Sequence, residues 1–167
     1  MQKSVFSKLL LIVVLFFACI TQTFAQQKYS ATSYIDEHKK IAQQLMRETG
    51  VPASVILAVA IHESAYGNSR IAQHLNNHFG IKGKNNSKKI KSAYKGYSST
   101  KESYNDFVDF LKRRKSTQSL FDKHSPTDYK SWVKGISRSG YSMTKSWSSK
   151  VLTTISKYNL NQYDSKN

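Results

Sequence analysis

The sequence predicts a mainly α-helical (α+β) single domain with one small β-hairpin lobe. Three observations carry that prediction. Apolar residues recur at helical spacing in several separate segments. Glycine, proline and capping residues punctuate those segments at their ends. The exception is residues 82–98, a lysine-, glycine- and asparagine-containing stretch that ends in a tyrosine-bearing run. A chain of 167 residues suits one core rather than two.

The elements follow in order. From Ser33, apolar residues fall at Ile35, Ile41, Ala42, Leu45 and Met46, and Gly50 closes the segment, which reads as a first helix. Pro52 opens a second helix at a position where its missing N–H costs nothing. Residues 55–61 are apolar on every side, so this helix belongs at the centre of the fold. Asn68 or Ser69 caps a short helix that runs to Leu75, and residues 76–80 read as a turn. The hairpin lobe occupies residues 82–98. Ser99 and Glu102 form a capping-box pattern ahead of a helix with Tyr104, Phe107, Val108 and Leu111 on one face. Ser125-Pro126 starts a further helix carrying Trp132, Val133 and Ile136, which Gly140-Tyr141 interrupts. The last helix presents Trp147, Val151, Ile155 and Tyr158 at successive turns.

Ahead of this domain, Lys3 and Lys8 precede an uncharged apolar run at residues 9–20, and Thr23 and Ala25 occupy small-residue cleavage positions. Residues 1–25 therefore read as a secretory signal peptide, with a mature start near Gln26, a polar flexible lead over 26–32 and the domain over 33–162. The apolar run is short of the roughly 20 residues a stable membrane span needs. Cys19 is the single cysteine, which excludes a disulfide framework and a cysteine-based zinc site; its lipidation is left open.

Lys and Arg number 26 against 10 Asp and Glu, a formal net charge of +16, and only two of those cations lie in the signal segment. The excess points to an anionic partner without choosing among nucleic acid, anionic lipid and an acidic wall polymer.

Acids are few, so each can be weighed. Glu63 follows the most apolar run of the domain, on the central helix, with Tyr66 one turn away. A carboxyl held against apolar and aromatic walls favours its neutral form, and a retained proton can be donated to a leaving oxygen. A buried structural glutamate near a helix end is the alternative that burial alone leaves open.

The Glu63-Ser64 pair, Tyr66-Gly67-Asn68-Ser69 and Asn76-Asn77-His78-Phe79-Gly80-Ile81-Lys82 together resemble the peptidoglycan β-N-acetylglucosaminidases of glycoside hydrolase family 73, which include flagellar-rod and autolysin-type domains. The resemblance continues through Tyr97-Ser98-Ser99, Glu102-Ser103-Tyr104, Phe110-Leu111 and Gly140-Tyr141. It implies a lysozyme-like fold with a cleft between a helical body and the small lobe. It also implies that Glu63 is the general acid and that Tyr141 lines the site. Tyr66, Phe79 and Trp147 are candidates to stack on sugar faces, with core packing as the alternative. Asn76 and Asn77 are candidates to read acetamido groups, with turn formation as the alternative.

The sequence departs from the family in one respect. Members commonly carry a second acid in the lobe, whereas no Asp or Glu occurs between Ser64 and Lys101 here. An inverting mechanism needs a base facing the acid across a water, about 6.5–9.5 Å away. Glu102 and Asp106 come next but read more simply as a cap and a surface residue. Assistance by the substrate's own N-acetyl group, a water oriented by Tyr141, and wall binding without cleavage all remain open.

The expected function is therefore a secreted or periplasmic endo-acting hydrolase that cuts β-1,4 bonds at N-acetylglucosamine in peptidoglycan glycan strands. It is expected to be a monomer that needs no cofactor or metal and has no nucleic-acid partner, with anionic wall polymers as further partners. A lytic transglycosylase and a non-catalytic cationic wall-binding module are the alternatives.

Overall fold

The computed structural model describes residues 29–165; the expected signal segment at 1–25, with Cys19, and residues 26–28 of the expected lead lie outside the described residues. Eight α-helices and a terminal 3-10 turn make up the domain: α1 (Ala31–Thr49), α2 (Ala53–Ser64), α3 (Arg70–Leu75), α4 (Thr100–Arg113), α5 (Lys115–Gln118), α6 (Leu120–Lys123), α7 (Tyr129–Arg138), α8 (Trp147–Lys157) and the turn Leu160–Asp164.

Helix α2 is the axle of the fold. Its residues from Ala53 to Ile61 are all buried, and it packs against α1, α7, α8 and the 3-10 turn. Each Val, Leu or Ile placed there contributes about 1.5–3 kcal/mol by leaving water. The start of α2 is clasped from the far end of the chain. The Asp164 carboxylate accepts from the Ser54 N–H at 2.8 Å and from the Ser54 hydroxyl at 2.6 Å. Burial pushes the Asp164 carboxyl up, against the pull of the two Ser54 bonds.

Helix α1 begins two residues earlier than its periodicity predicts. Ser30 is the N-cap, and its side chain and that of Ser33 exchange bonds with each other's backbone N–H groups. Tyr29 is also fixed, through reciprocal bonds with the Asn68 side chain at 3.0 and 2.9 Å. Residues 29–32, expected within the lead, thus join the helical body, because two serines three apart can cap a turn that apolar spacing does not reveal. Helix α7 starts later than Ser125-Pro126, since the Asp128 side chain, not Ser125, accepts from the Ser131 N–H. The single-turn helices α5 and α6 have no periodic signature in the sequence. No helix among the described residues is long and apolar enough to cross a membrane.

The lobe is more sparing than a hairpin of two strands. Among the described residues its β pairing is one antiparallel bridge, Lys82 to Tyr94, flanked by Gly83 N–H to Ala93 O and Lys95 N–H to Ile81 O, each 2.9 Å. Lysine, glycine, asparagine and serine fill this stretch, so the cross-strand apolar pairs that stabilise a sheet are missing. Asparagine side chains substitute for them. Asn85 Nδ2 donates to the Ser92 and Tyr94 carbonyls, and Asn77 Nδ2 donates to the Ile81 and Lys95 carbonyls.

Candidate active site

Glu63 sits in the last turn of α2, where the all-apolar helix first meets polar surroundings. The Glu-Ser pair divides its tasks there. Ser64 is fully buried; its hydroxyl donates to the Ala60 carbonyl at 2.6 Å and accepts the Gly67 N–H at 2.7 Å, which closes the helix. Glu63 is partly buried, and the indole Nε1–H of Trp147 donates to its Oε1 at 2.8 Å. Trp147 opens α8 and is itself 1% exposed, so its donor is held in place. The other oxygen, Oε2, lies on the side of Gly80, where a Cβ would stand 3.7 Å away. Gly80 has φ +65°, a conformation that glycine adopts without the usual Cβ penalty.

Glu63 opens onto a cleft of ≈ 490 Å³ between the helical body and the lobe, lined also by Gly80, Lys82, Lys95, Asp106 and Tyr141. Tyr141 leans on the Trp147 ring, with centroids 5.2 Å apart, and its hydroxyl donates to the Phe79 carbonyl at 3.0 Å. Burial, and then the nearby Glu63 charge, push the Tyr141 hydroxyl well above the ordinary tyrosine value, so it is a neutral donor near pH 7. Glu63, Tyr141 and Trp147 thus come together from three segments distant in sequence.

The structure distributes the other sequence candidates differently. Tyr66 does not share the cleft. Ala65, Tyr66 and Gly67 are consecutive left-handed residues (φ 51°, 58° and 76°), which break the helical phase after Ser64. The Tyr66 hydroxyl instead meets that of Tyr158 at 3.1 Å, beside His62 and Lys150. Phe79 borders the cleft, but its ring is 2% exposed and stacks on Phe107 with centroids 4.3 Å apart, so it offers no face to a sugar. Asn76 caps α3 in the left-handed region and donates to the Tyr97 carbonyl at 3.0 Å. Asn77 is 1% exposed; besides its two donated bonds, its Oδ1 accepts the Phe79 and Ile81 N–H groups. Asn77 is consumed by backbone, as its turn-forming alternative predicts, and Asn76 gives one amide hydrogen to the turn and does not line the Glu63 cleft.

Two residues carry more than their sequence positions revealed. Trp147 reads as core or a sugar platform, yet its indole N–H addresses Glu63. Asp106 reads as a surface residue, yet it is 9% exposed and lines the same cleft. Its Oδ2 accepts from Lys95 Nζ at 2.9 Å and the Tyr97 hydroxyl at 2.7 Å, and its Oδ1 accepts from Arg113 Nη2 at 2.9 Å. Burial alone would raise this carboxyl, but the bonds from Lys95, Tyr97 and Arg113 prevail and hold it below the usual aspartate value. The available signal was spacing: Arg113 lies seven residues on, two turns along the same helix face. Glu102, by contrast, is the cap it resembled, accepting from the Ser98 N–H and hydroxyl at 2.8 and 2.7 Å.

Comparison with known proteins places this geometry. The family model for glucosaminidase, described as mannosyl-glycoprotein endo-beta-N-acetylglucosaminidase, matches residues 39–160. The exo-glucosaminidase LytG of Bacillus subtilis (strain 168) is 30% identical over 80% of this chain, which spans 54% of LytG, about half its length. Among solved structures, an N-acetylmuramoyl-L-alanine amidase from Staphylococcus aureus superposes with a TM-score of 0.71 at 25% identity, over 84% of this chain and 46% of that one. The catalytic domain of the autolysin Auto from Listeria monocytogenes superposes with a TM-score of 0.67 at 26% identity, over 89% of this chain and 96% of that domain. The lysozyme-like helical body agrees with these matches, and the chain belongs to the glucosaminidase family, glycoside hydrolase family 73.

Proposed function

We propose that this protein is a secreted, monomeric hydrolase that cuts β-1,4 bonds at N-acetylglucosamine within peptidoglycan glycan strands, with Glu63 as general acid. The observation that carries the reading is the asymmetric setting of Glu63. Oε1 is engaged by the Trp147 indole, while Oε2 lies on the Gly80 side of a cleft bounded by body and lobe. A proton on Oε2 would pass to the glycosidic oxygen as that bond breaks. The indole N–H would then stabilise the carboxylate left behind.

Asp106 is a weak candidate for the base. It shares the cleft, but three donors bind its oxygens and lower its affinity for a proton. In place of a base, the substrate's N-acetyl oxygen would bond to the anomeric carbon as the protonated leaving oxygen departs. Water would then open that ring and return a proton to the Glu63 carboxylate. The Tyr141 hydroxyl oxygen, its hydrogen given to the Phe79 carbonyl, would orient that water as an acceptor. The signal segment at residues 1–25 would deliver the enzyme to the envelope or beyond.

Digestion of purified peptidoglycan, borohydride reduction and mass analysis of the fragments tests the bond assignment. Reduced N-acetylglucosamine ends are expected. Anhydro-muramic ends would identify a lytic transglycosylase, and no fragments at any salt or pH would leave a wall-binding module.

A further inference from the structure

We propose that Lys82, Lys95 and Arg113 form a carboxylate-binding subsite within the Glu63 cleft, which reads the acidic substituents carried by alternate sugars of the substrate. This rests on the reading of the protein as a peptidoglycan hydrolase and names the feature by which it tells that polymer from a neutral one.

The cleft lining holds these three cations against two carboxylates, Glu63 and Asp106. Asp106 offsets only part of the charge, and its bonds leave donors unused. Arg113 spends one of five N–H groups on it and remains 61% exposed; Lys95 spends one of three and remains 39% exposed. Lys82 is exposed and makes no ion pair with any described residue. Asp106 is the positioning residue of the set. Lys95 stands on the lobe and Arg113 at the end of α4, two long side chains whose free motion would have to be lost on binding an anion. Tethered by the same carboxylate, they are held together before substrate arrives, with their remaining donors toward solvent.

A neutral β-1,4-linked N-acetylglucosamine polymer gives such a cluster nothing to bind, and the cations repel one another without an anion. Peptidoglycan supplies carboxylates from two sources: the lactyl ether on alternate sugars, free where the peptide has been removed, and the peptide stem. Both sources present the same chemistry to the cations.

The test uses binding, so that it does not depend on turnover. In the Glu63→Gln protein, calorimetry compares three soluble oligosaccharides of equal length: chitooligosaccharide, peptide-free glycan strands and peptide-bearing strands. The carboxylate-bearing ligands are expected to bind about tenfold more tightly than chitooligosaccharide. That ratio should fall toward one in Lys82→Gln/Arg113→Gln and recover in part with Arg113→Lys. Preference for peptide-free strands alone assigns the lactyl carboxylate, preference for peptide-bearing strands alone assigns the stem, and preference for both shows that the cations accept either carboxylate. In a double-mutant cycle, Arg113→Gln should lower the ratio less when Asp106 is Asn; additive losses would remove Asp106 from the positioning role. Equal affinity for all three ligands, or a ratio that survives the double substitution, would overturn the subsite. Should the wild type cut none of the three while the ratio holds, the hydrolase reading fails and the subsite stands; cutting without the ratio means the reverse.

Discussion

Glu63 has two oxygens in different surroundings, and the difference is what a directional proton donor needs. Oε1 is held by an indole N–H that cannot move away, since Trp147 is packed into the core. Oε2 lies on the side of Gly80, whose missing side chain keeps that approach open. Trp147→Phe keeps most of the aromatic bulk and deletes the donor. A hydrogen bond to a charged group contributes about 1.5–3 kcal/mol, so kcat should fall about ten- to hundredfold. Steady-state kinetics check this; an unchanged kcat would leave Trp147 as packing alone. The neighbouring residues show how a local motif divides into different tasks. Asn77 and Phe79 lie within the same short turn as Gly80, yet their side chains build the lobe and the core, and only Gly80 faces the acid.

At the scale of elements, the lobe is a loop held by side chains more than by a sheet. Asn77 makes four bonds to backbone within and beside it. Asn77→Ala should cost about 2–4 kcal/mol, at roughly 1 kcal/mol for each bond lost, and should loosen residues 81–97 before the helices. Thermal unfolding and hydrogen exchange check it; uniform loss of protection would contradict a local role. The second tie is Asp106, which joins lobe to body through Lys95 and Arg113. Its carboxyl lies lower in the folded protein than in the unfolded chain, where aspartate titrates near about 3.9. Its contribution to stability is therefore present above that value and disappears as pH falls through the folded value. The melting difference between wild type and Asp106→Asn should be full at pH 6 and shrink below pH 4. A difference that grows on acidification would contradict the ion-paired state.

Across the whole molecule, the helices other than α5 and α6 were legible in the sequence because their apolar spacing and caps are local. The central place of α2 followed from a run with no polar face. The lysozyme-like class and the prominence of Glu63 followed from motifs that span the cleft. What escaped depends on contacts between distant segments. The 84-residue separation between Trp147 and Glu63 has no period to betray it. Asp106 looked like a surface acid because its partner Lys95 lies on another element. Tyr66 was misplaced because three left-handed residues break the helical phase that sequence spacing assumes. The net charge of +16 belongs to the chain as a whole rather than to the cleft. Adsorption of the Glu63→Gln protein to purified peptidoglycan should weaken several-fold from about 0.05 to 0.5 M salt, as screening shortens the reach of exposed charges. Salt-independent adsorption would contradict an electrostatic contribution. The most direct measurement remains turnover of purified peptidoglycan by wild type and Glu63→Gln side by side, with fragments resolved by mass. The wild type should release fragments with reducing N-acetylglucosamine ends, and Glu63→Gln should release them about 10²–10⁴-fold more slowly while still binding the polymer. Release of the same fragments at the same rate by both proteins would show that Glu63 is not the acid.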